Sequence, residues 1–246
     1  PYLFIYGNNG LIQNSSAGDF ANWVSPDANA TNVATGKIIK GLPIRGGSTS
    51  PSGLFWAADA LIRVSFQPSS SGGVNYYWAY DLVSSQTSIM SSSSVIEYDG
   101  IFYWCGVDRF LMFNGVVREV RNQMNLNYFF DNINESKRAK VFAFKVPPFG
   151  EIWWCYPKGD ATECTHAIIY NVRENSWYDT TLPASGRASG GYNNGFAAPL
   201  LTDCIPTASG YRVWIHEQGV DAVEGQSVLP IQSYFETADL SSLPQG

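Results

Sequence analysis

The sequence predicts an all-β fold assembled from repeated antiparallel meanders. Three observations predict it. Turn signals recur at short intervals, the apolar runs between them are one strand long, and aromatic residues make up 15% of the chain. Aromatic side chains favour half-buried pleated surfaces. The stretch "IEYDGIFYWCGVDRFLMFNGVVREV" (96–120) shows all three at once. Asp99-Gly100, Gly106-Val107-Asp108 and Asn114-Gly115 are the turns. Ile101 to Cys105, Arg109 to Phe113 and Val116 to Val120 are the expected strands, each too short for a globular helix. Asn114-Gly115 predicts a tight two-residue hairpin, because both residues accept φ > 0 in a type I′ turn.

The remaining elements follow the same chemistry in chain order. "YLFIYGNNGLIQNS" (2–15) reads as a front hairpin. "GLFWAADALIRVSFQ" (53–67) gives two runs around Ala58-Asp59, and "VNYYWAYDLV" (74–83) a third after the loop "PSSSGG". "AKVFAFKVPPFGEIWWCYP" (139–157) turns at Pro147-Pro148-Phe149-Gly150, and "HAIIYNVRENSWYDTTLP" (166–183) at Glu174-Asn175. "YRVWIHE" (211–217) and "LPIQSYFETADL" (229–240) close the series. One segment departs from it. In 122–140, Tyr128, Phe129, Ile133 and Ala139 fall at near-helical spacing with Asn125 or Asn127 as N-cap, which predicts a short helical insertion.

The runs group into units of about forty to fifty residues: Lys37 to Val83, Ser88 to Val120, Ala139 to Leu182 and Ser185 to Ala238, with a partial unit in front. Middle strands carry the aromatic pairs Phe55-Trp56, Tyr103-Trp104 and Trp153-Trp154, and Phe55, Trp56, Phe102, Trp104, Trp153 and Trp154 are expected to be buried. Continuous apolar runs such as "IFYWC" imply that both faces of a sheet are covered. Four-stranded units of this period predict a β-propeller over 1–246, with about four to six blades. The runner-up is a large β-sandwich, which calls for cleaner alternation and a Greek-key connection. The first residue is proline and the last segment is strand-like, so the chain is expected to be a piece of a longer polypeptide.

Composition excludes several function classes. The net charge is −6, from 15 basic and 21 acidic residues, and there is no basic run to neutralise phosphates. The densest cluster, Lys137-Arg138-Ala139-Lys140, reads as a solvated helix turn. Charged residues are 15%, well below the usual quarter. Such a low-charge surface fits either extensive coverage by partners or polar, uncharged loops. No apolar stretch is long enough for a membrane helix.

The catalytic inventory is thin, and no catalytic, cofactor-binding or metal-ligating residue is assigned. His166 and His216 each fall in an expected strand without a nucleophile in a recognisable motif. Cys105, Cys155, Cys164 and Cys204 lack metal-ligand spacing, and Cys155 and Cys164 are either bonded across one hairpin or buried free thiols. Ser25, Asp27 and Thr31 match part of the Asp box of sialidase-type propellers, but Asn32 stands where that motif has Trp, and an ordinary Asx turn accounts for them. Asp59, Asp81, Asp99 and Asp108 fall in expected turns rather than as the paired carboxylates of a glycosidase. The sequons at Asn14, Asn29 and Asn134 carry meaning only on a eukaryotic secretory route.

The ordered set "KIIKGL", "GLFWAADALIRVSF", "SVIEYDGIFYWCGVDRFLMFNGVVREV", "EIWWCYP", "YNVRENSW" and "PIQSYFETADL" resembles the β-propeller tail proteins of short-tailed bacteriophages. These include tail nozzle (tail tubular) proteins and tail accessory proteins that stabilise packaged DNA. The resemblance implies a structural, non-enzymatic virion component without cofactor or metal, assembled in the host bacterial cytoplasm. It also implies a homo-oligomeric ring of about six copies, contacts with the tail adaptor and other tail proteins, and genome DNA passing without sequence-specific binding. No membrane partner is implied. A glycan-binding or glycan-cleaving propeller of a tail fibre or secreted enzyme is the alternative.

Overall fold

A computed structural model describes residues 1–24, 27–45, 51–71, 74–122, 127–183, 186–206, 208, 210–224, 227–231 and 233. The chain is all-β. Its sheets are antiparallel and pair strands in chain order. The first sheet comprises β1 (Phe4–Tyr6), β2 (Leu11–Asn14) and β3 (Asn29–Asn32). The second holds β4 (Ile38–Pro43), β5 (Ser52–Ala57), β6 (Leu61–Ser71) and β7 (Val74–Ser84). The third holds β8 (Val95–Tyr98), β9 (Ile101–Cys105), β10 (Phe110–Phe113) and β11 (Val117–Glu119). The fourth holds β12 (Phe142–Val146), β13 (Glu151–Tyr156), β14 (His166–Asn171) and β15 (Ser176–Thr181). The fifth holds β16 (Arg187–Asn193), β17 (Ala198–Asp203) and β18 (Val213–Ile215), and a hairpin of β19 (Asp221–Glu224) and β20 (Ser227–Pro230) follows.

Strand periodicity explains how these sheets stack. Successive side chains on a strand point to opposite faces. On β5, Phe55 and Ala57 join Ile12, Ile38 and Ile62 against the first sheet, while Leu54 and Trp56 join Phe102 and Trp104 of β9. On β9, Tyr103 and Cys105 turn the other way and meet Ile152 and Trp154 of β13. On β13, Trp153 and Cys155 turn again and meet Leu201 of β17. Each aromatic pair therefore serves two interfaces. Phe55, Trp56, Phe102, Trp104, Trp153 and Trp154 are all buried, as the sequence predicts. Trp56 and Trp104 meet edge to face at 5.7 Å, and Phe110 lies 4.9 Å from Trp154. Three of the indole N–H groups are satisfied by backbone. Trp104 donates to Ser88 O at 2.9 Å, Trp154 to Ser94 O at 2.9 Å and Trp177 to Arg121 O at 2.9 Å.

Neighbouring sheets also touch through their first strands. Ser93, just before β8, bridges Phe142 of β12 in parallel, and Ala143 N donates to Ser93 O at 2.8 Å. The serine run 91–94 is accordingly internal in part. Ser91 and Ser94 are buried, and Ser91 Oγ donates to Val141 O.

Several expectations change in detail. Residues 96–120 carry a fourth strand, because Val95–Tyr98 pairs with β9. The two-residue turn with both φ values positive is Asp99-Gly100, at 50° and 80°. Asn114-Gly115 instead belongs to a three-residue loop, since Phe113 pairs with Val117 and Val116 stays outside the ladder. Serine-rich 68–71 continues β6, with Ser69 opposite Tyr76, where a loop is expected. Polar β3 was hidden by its lack of apolar residues.

The expected helix in 122–140 is divided between α1 (Tyr128–Asn132) and a 3-10 turn, Glu135–Lys140. Asn127 sits at the N-cap position of α1 without a side-chain cap bond, while Asn134 caps the 3-10 turn through Ser136 N. Asn125 lies outside the described residues, as does most of the strand expected over 229–240. The unit expected from Ser185 is three-stranded, with β19–β20 as a separate pair. Among the described residues no helix is long and apolar enough to cross a membrane.

Candidate functional site

The seams between the first four sheets are lined by aromatic and aliphatic side chains. The seam between the fourth and fifth sheets differs, because polar and charged groups converge there. Gly186, at φ 71°, turns the chain into β16 and leaves no room for a side chain: a Cβ would stand 2.7 Å from Cys164 O. Arg187 N then donates to Cys164 O at 2.8 Å, and Arg187 pairs with Asp203 on β17. Arg187 is thereby held 1% exposed, with its side chain inside the seam.

Its guanidinium is engaged from three directions. Nη1 donates to Gly186 O at 2.8 Å and to Asp203 Oδ1 at 3.4 Å, and Nε donates to His216 Nε2 at 3.1 Å. Asp203 Oδ2 accepts from Arg212 Nε at 3.2 Å. Both guanidinium groups lie against the Trp214 ring, at 5.1 and 4.6 Å from its centroid. Burial of the ring and the neighbouring Arg187 charge depress the His216 imidazole to about 4. That agrees with the geometry, since an imidazole nitrogen that accepts from a cation cannot also carry a proton.

Glu151, at the start of β13, sits in the same seam. Its carboxylate accepts from Trp153 Nε1 at 2.8 Å and from the Tyr178 hydroxyl. Burial and this bond push the Tyr178 phenol far up. Burial, then the charge of Glu151, raises the carboxyl of Glu217.

Most of these groups are engaged with one another. Cys105, Cys155, Cys164 and Cys204 are free thiols, which settles the pairing left open for Cys155 and Cys164. Burial pushes Cys155 well up and Cys164 to about 12, and burial with the Glu163 charge takes Cys204 to about 11. None is a thiolate at neutral pH. His166 opens β14, where its Nδ1 meets Thr165 Oγ1 at 3.0 Å. His216 lies one residue beyond β18 rather than within it.

The aspartates are dispersed. Asp81 is in strand β7, paired with Arg63 at 3.1 Å, which corrects its placement in a turn, and Asp108 pairs with Arg109. Asp27 accepts from Ser16 Oγ at 2.8 Å and Ala17 N at 2.7 Å, Thr31 is part of β3, and Ser25 lies outside the described residues. The cations of 137–140 are engaged in part, Arg138 with Glu135 and Lys140 with Glu163. Among the described residues no three His, Cys, Asp or Glu side chains are placed to hold a metal ion.

A cleft of about 280 Å³ at one end of the seam is lined by Ser93, Lys140, Glu163, Cys164, Arg187 and Ser189. A second, of about 430 Å³, lies between the first two sheets among Tyr2, Phe4, Tyr6, Phe55 and Trp78. The chain matches no protein-family model, and no curated protein matches it at a significant level.

Sequence reasoning missed Arg187, Asp203, Arg212 and Glu151. A signal was present. Arg187 is the sole charge in the Gly/Ser/Ala-rich stretch 184–191, and Asp203 directly follows the apolar "APLL" and Thr202.

Proposed function

We propose that this chain is a structural component of a phage tail, a nozzle or tail accessory ring that encloses, retains and conducts the genome. Its stacked sheets are blades of a β-propeller, and copies of the chain surround the DNA passage. The observation that carries this reading is the stack itself. Successive meanders bury both of their faces in aromatic cores, and the polar groups between the last two sheets are spent on one another. Such a body is suited to bearing load and presenting surfaces, and its described residues offer no poised nucleophile. The net charge of −6 supports a passage that repels phosphates and lets DNA slide.

The protein is expected to leave duplex DNA unretarded at physiological salt and to assemble into tails through contacts with the adaptor ring. Gel retardation and reconstitution with adaptor rings test the two halves. Tight binding of DNA by the free protein contradicts the reading.

One observation favours a glycan-directed alternative: Glu151, Tyr178 and Glu217 bring two carboxyls and a phenol together. Turnover of a glycan that is lost in Glu151→Gln would decide for it.

A further inference from the structure

Among the described residues, the second, third and fourth sheets are packed on both faces, whereas the outer face of the fifth is uncovered: Val213 and Ile215 are 61% and 49% exposed. Among the described residues the fifth sheet packs on one neighbour, the fourth. Its hold on that neighbour runs through Leu201 and the seam centred on Arg187. We propose that this seam is an acid-sensitive latch: protonation of His216 abolishes its acceptance from Arg187 Nε and releases β16–β18 from the fourth sheet while the rest of the stack stays packed.

The geometry supplies the mechanism. At neutral pH, His216 Nε2 offers a lone pair to a buried guanidinium. Once protonated, it presents a second positive charge to buried Arg187 from a half-buried position, where Asp203 is already shared with Arg212. Like charges at hydrogen-bond distance with little solvent repel strongly. The other charged or titratable groups of the described seam are Glu151, Cys155 and Tyr178 from the fourth sheet, Lys140, Glu163 and Cys164 at the cleft, Asp203 and Cys204 from β17 and its exit, and Arg212 and Glu217 flanking β18. Asp203 is the buried anion nearest this pair, and two cations hold it. Glu151 is committed to Trp153 and Tyr178. Among the described residues, Glu163 is paired with Lys140, burial and the Glu151 charge favour the neutral form of Glu217, and the charge acting on His216 is that of Arg187.

The sign follows from linkage. An ordinary histidine binds its proton near pH 6.5, and the folded seam resists until about 4. Opening is therefore favoured as pH falls through that window, by about tenfold per unit and roughly 300-fold in all. Above pH 6.5 the latch is indifferent to pH.

Hydrogen–deuterium exchange of the wild-type chain, corrected for intrinsic rates, reads this directly. Between pH 7 and 5, amides of 187–193 and 198–203 are expected to lose protection about thirtyfold, while those of 101–105 and 152–155 keep theirs. In His216→Gln the amide oxygen accepts from Arg187 without titrating, and protection in β16 and β17 should persist at pH 5. Exchange at the imidazole C2 position of wild-type His216 gives a second reading that needs no variant, with titration expected well below 6. Equal loss across all sheets, an unchanged pH response in His216→Gln, or titration of His216 near 6.5 would each overturn the latch. None of these results depends on the ring reading.

Discussion

At the scale of single residues, the fold rests on a few buried side chains whose loss has a calculable effect. Trp154 is fully buried, touches Phe110 and donates to Ser94 O. Trp154→Ala removes an indole from the third seam and one of the two donors to Ser94 O, the other being Cys105 N, so a loss of about 3–5 kcal/mol is expected in denaturant melts. Arg187 has a different kind of importance. Replacing it with Ala takes one of the two cations from buried Asp203 and the donor from His216. Breaking a buried ion pair from one side costs about 3–5 kcal/mol, and the same unfolding experiment measures it. Arg187→Lys should recover only part of the loss, because an ammonium cannot reproduce a guanidinium's fork toward Asp203, Gly186 and His216 at once. The sequon at Asn14 is a residue-scale case as well. Its side chain is 0% exposed and donates to Ser15 O and Asp27 O, so the folded chain cannot carry a glycan there.

At the scale of elements, turn chemistry sets the meanders, and its consequences are separable. Gly115 has φ 109°, and an added Cβ would meet nothing within 4 Å. Gly115→Val therefore adds backbone strain without a clash, and a loss of about 1–3 kcal/mol is expected. Gly186→Ala combines positive φ with a contact against Cys164 O and should show a larger fall in melting temperature than alanine at Gly115. A reversed order would show that the β16 entry yields more easily than its geometry implies. The same chemistry marks how far the sequence can be read. Asp99-Gly100, Pro147 to Gly150 and the apolar runs beside them specify strands locally, and those strands are where the sequence places them. β3 and the outer part of the β6–β7 hairpin are polar, and their pairing is decided by partners distant from any local signal. The break between α1 and the 3-10 turn is decided likewise, since Ile133 pairs with Lys158 and Asn134 N donates to Pro157 O. The seam was illegible for a related reason. Arg187, Asp203 and His216 are far apart in sequence, and only the fifth sheet's pairing brings them together.

At the scale of the whole molecule, the alternation of side chains along each middle strand makes the stack continuous. Leu54 and Trp56 face one neighbour and Phe55 the other, and β9 and β13 repeat the arrangement. A stack of this kind transmits load from sheet to sheet and leaves hairpin tips, such as those carrying Val116, Phe149 and Phe196, exposed for contact. We read this as a ring component of a tail, with a low-charge exterior for assembly and an acidic balance that discourages DNA from adhering. The most direct test of that claim is electron microscopy of the native particle that contains this chain. The account predicts several symmetry-related copies, each a closed propeller, around a channel wide enough for duplex DNA. One copy at the tip of a fibre, or a ring without a through-channel, would contradict it.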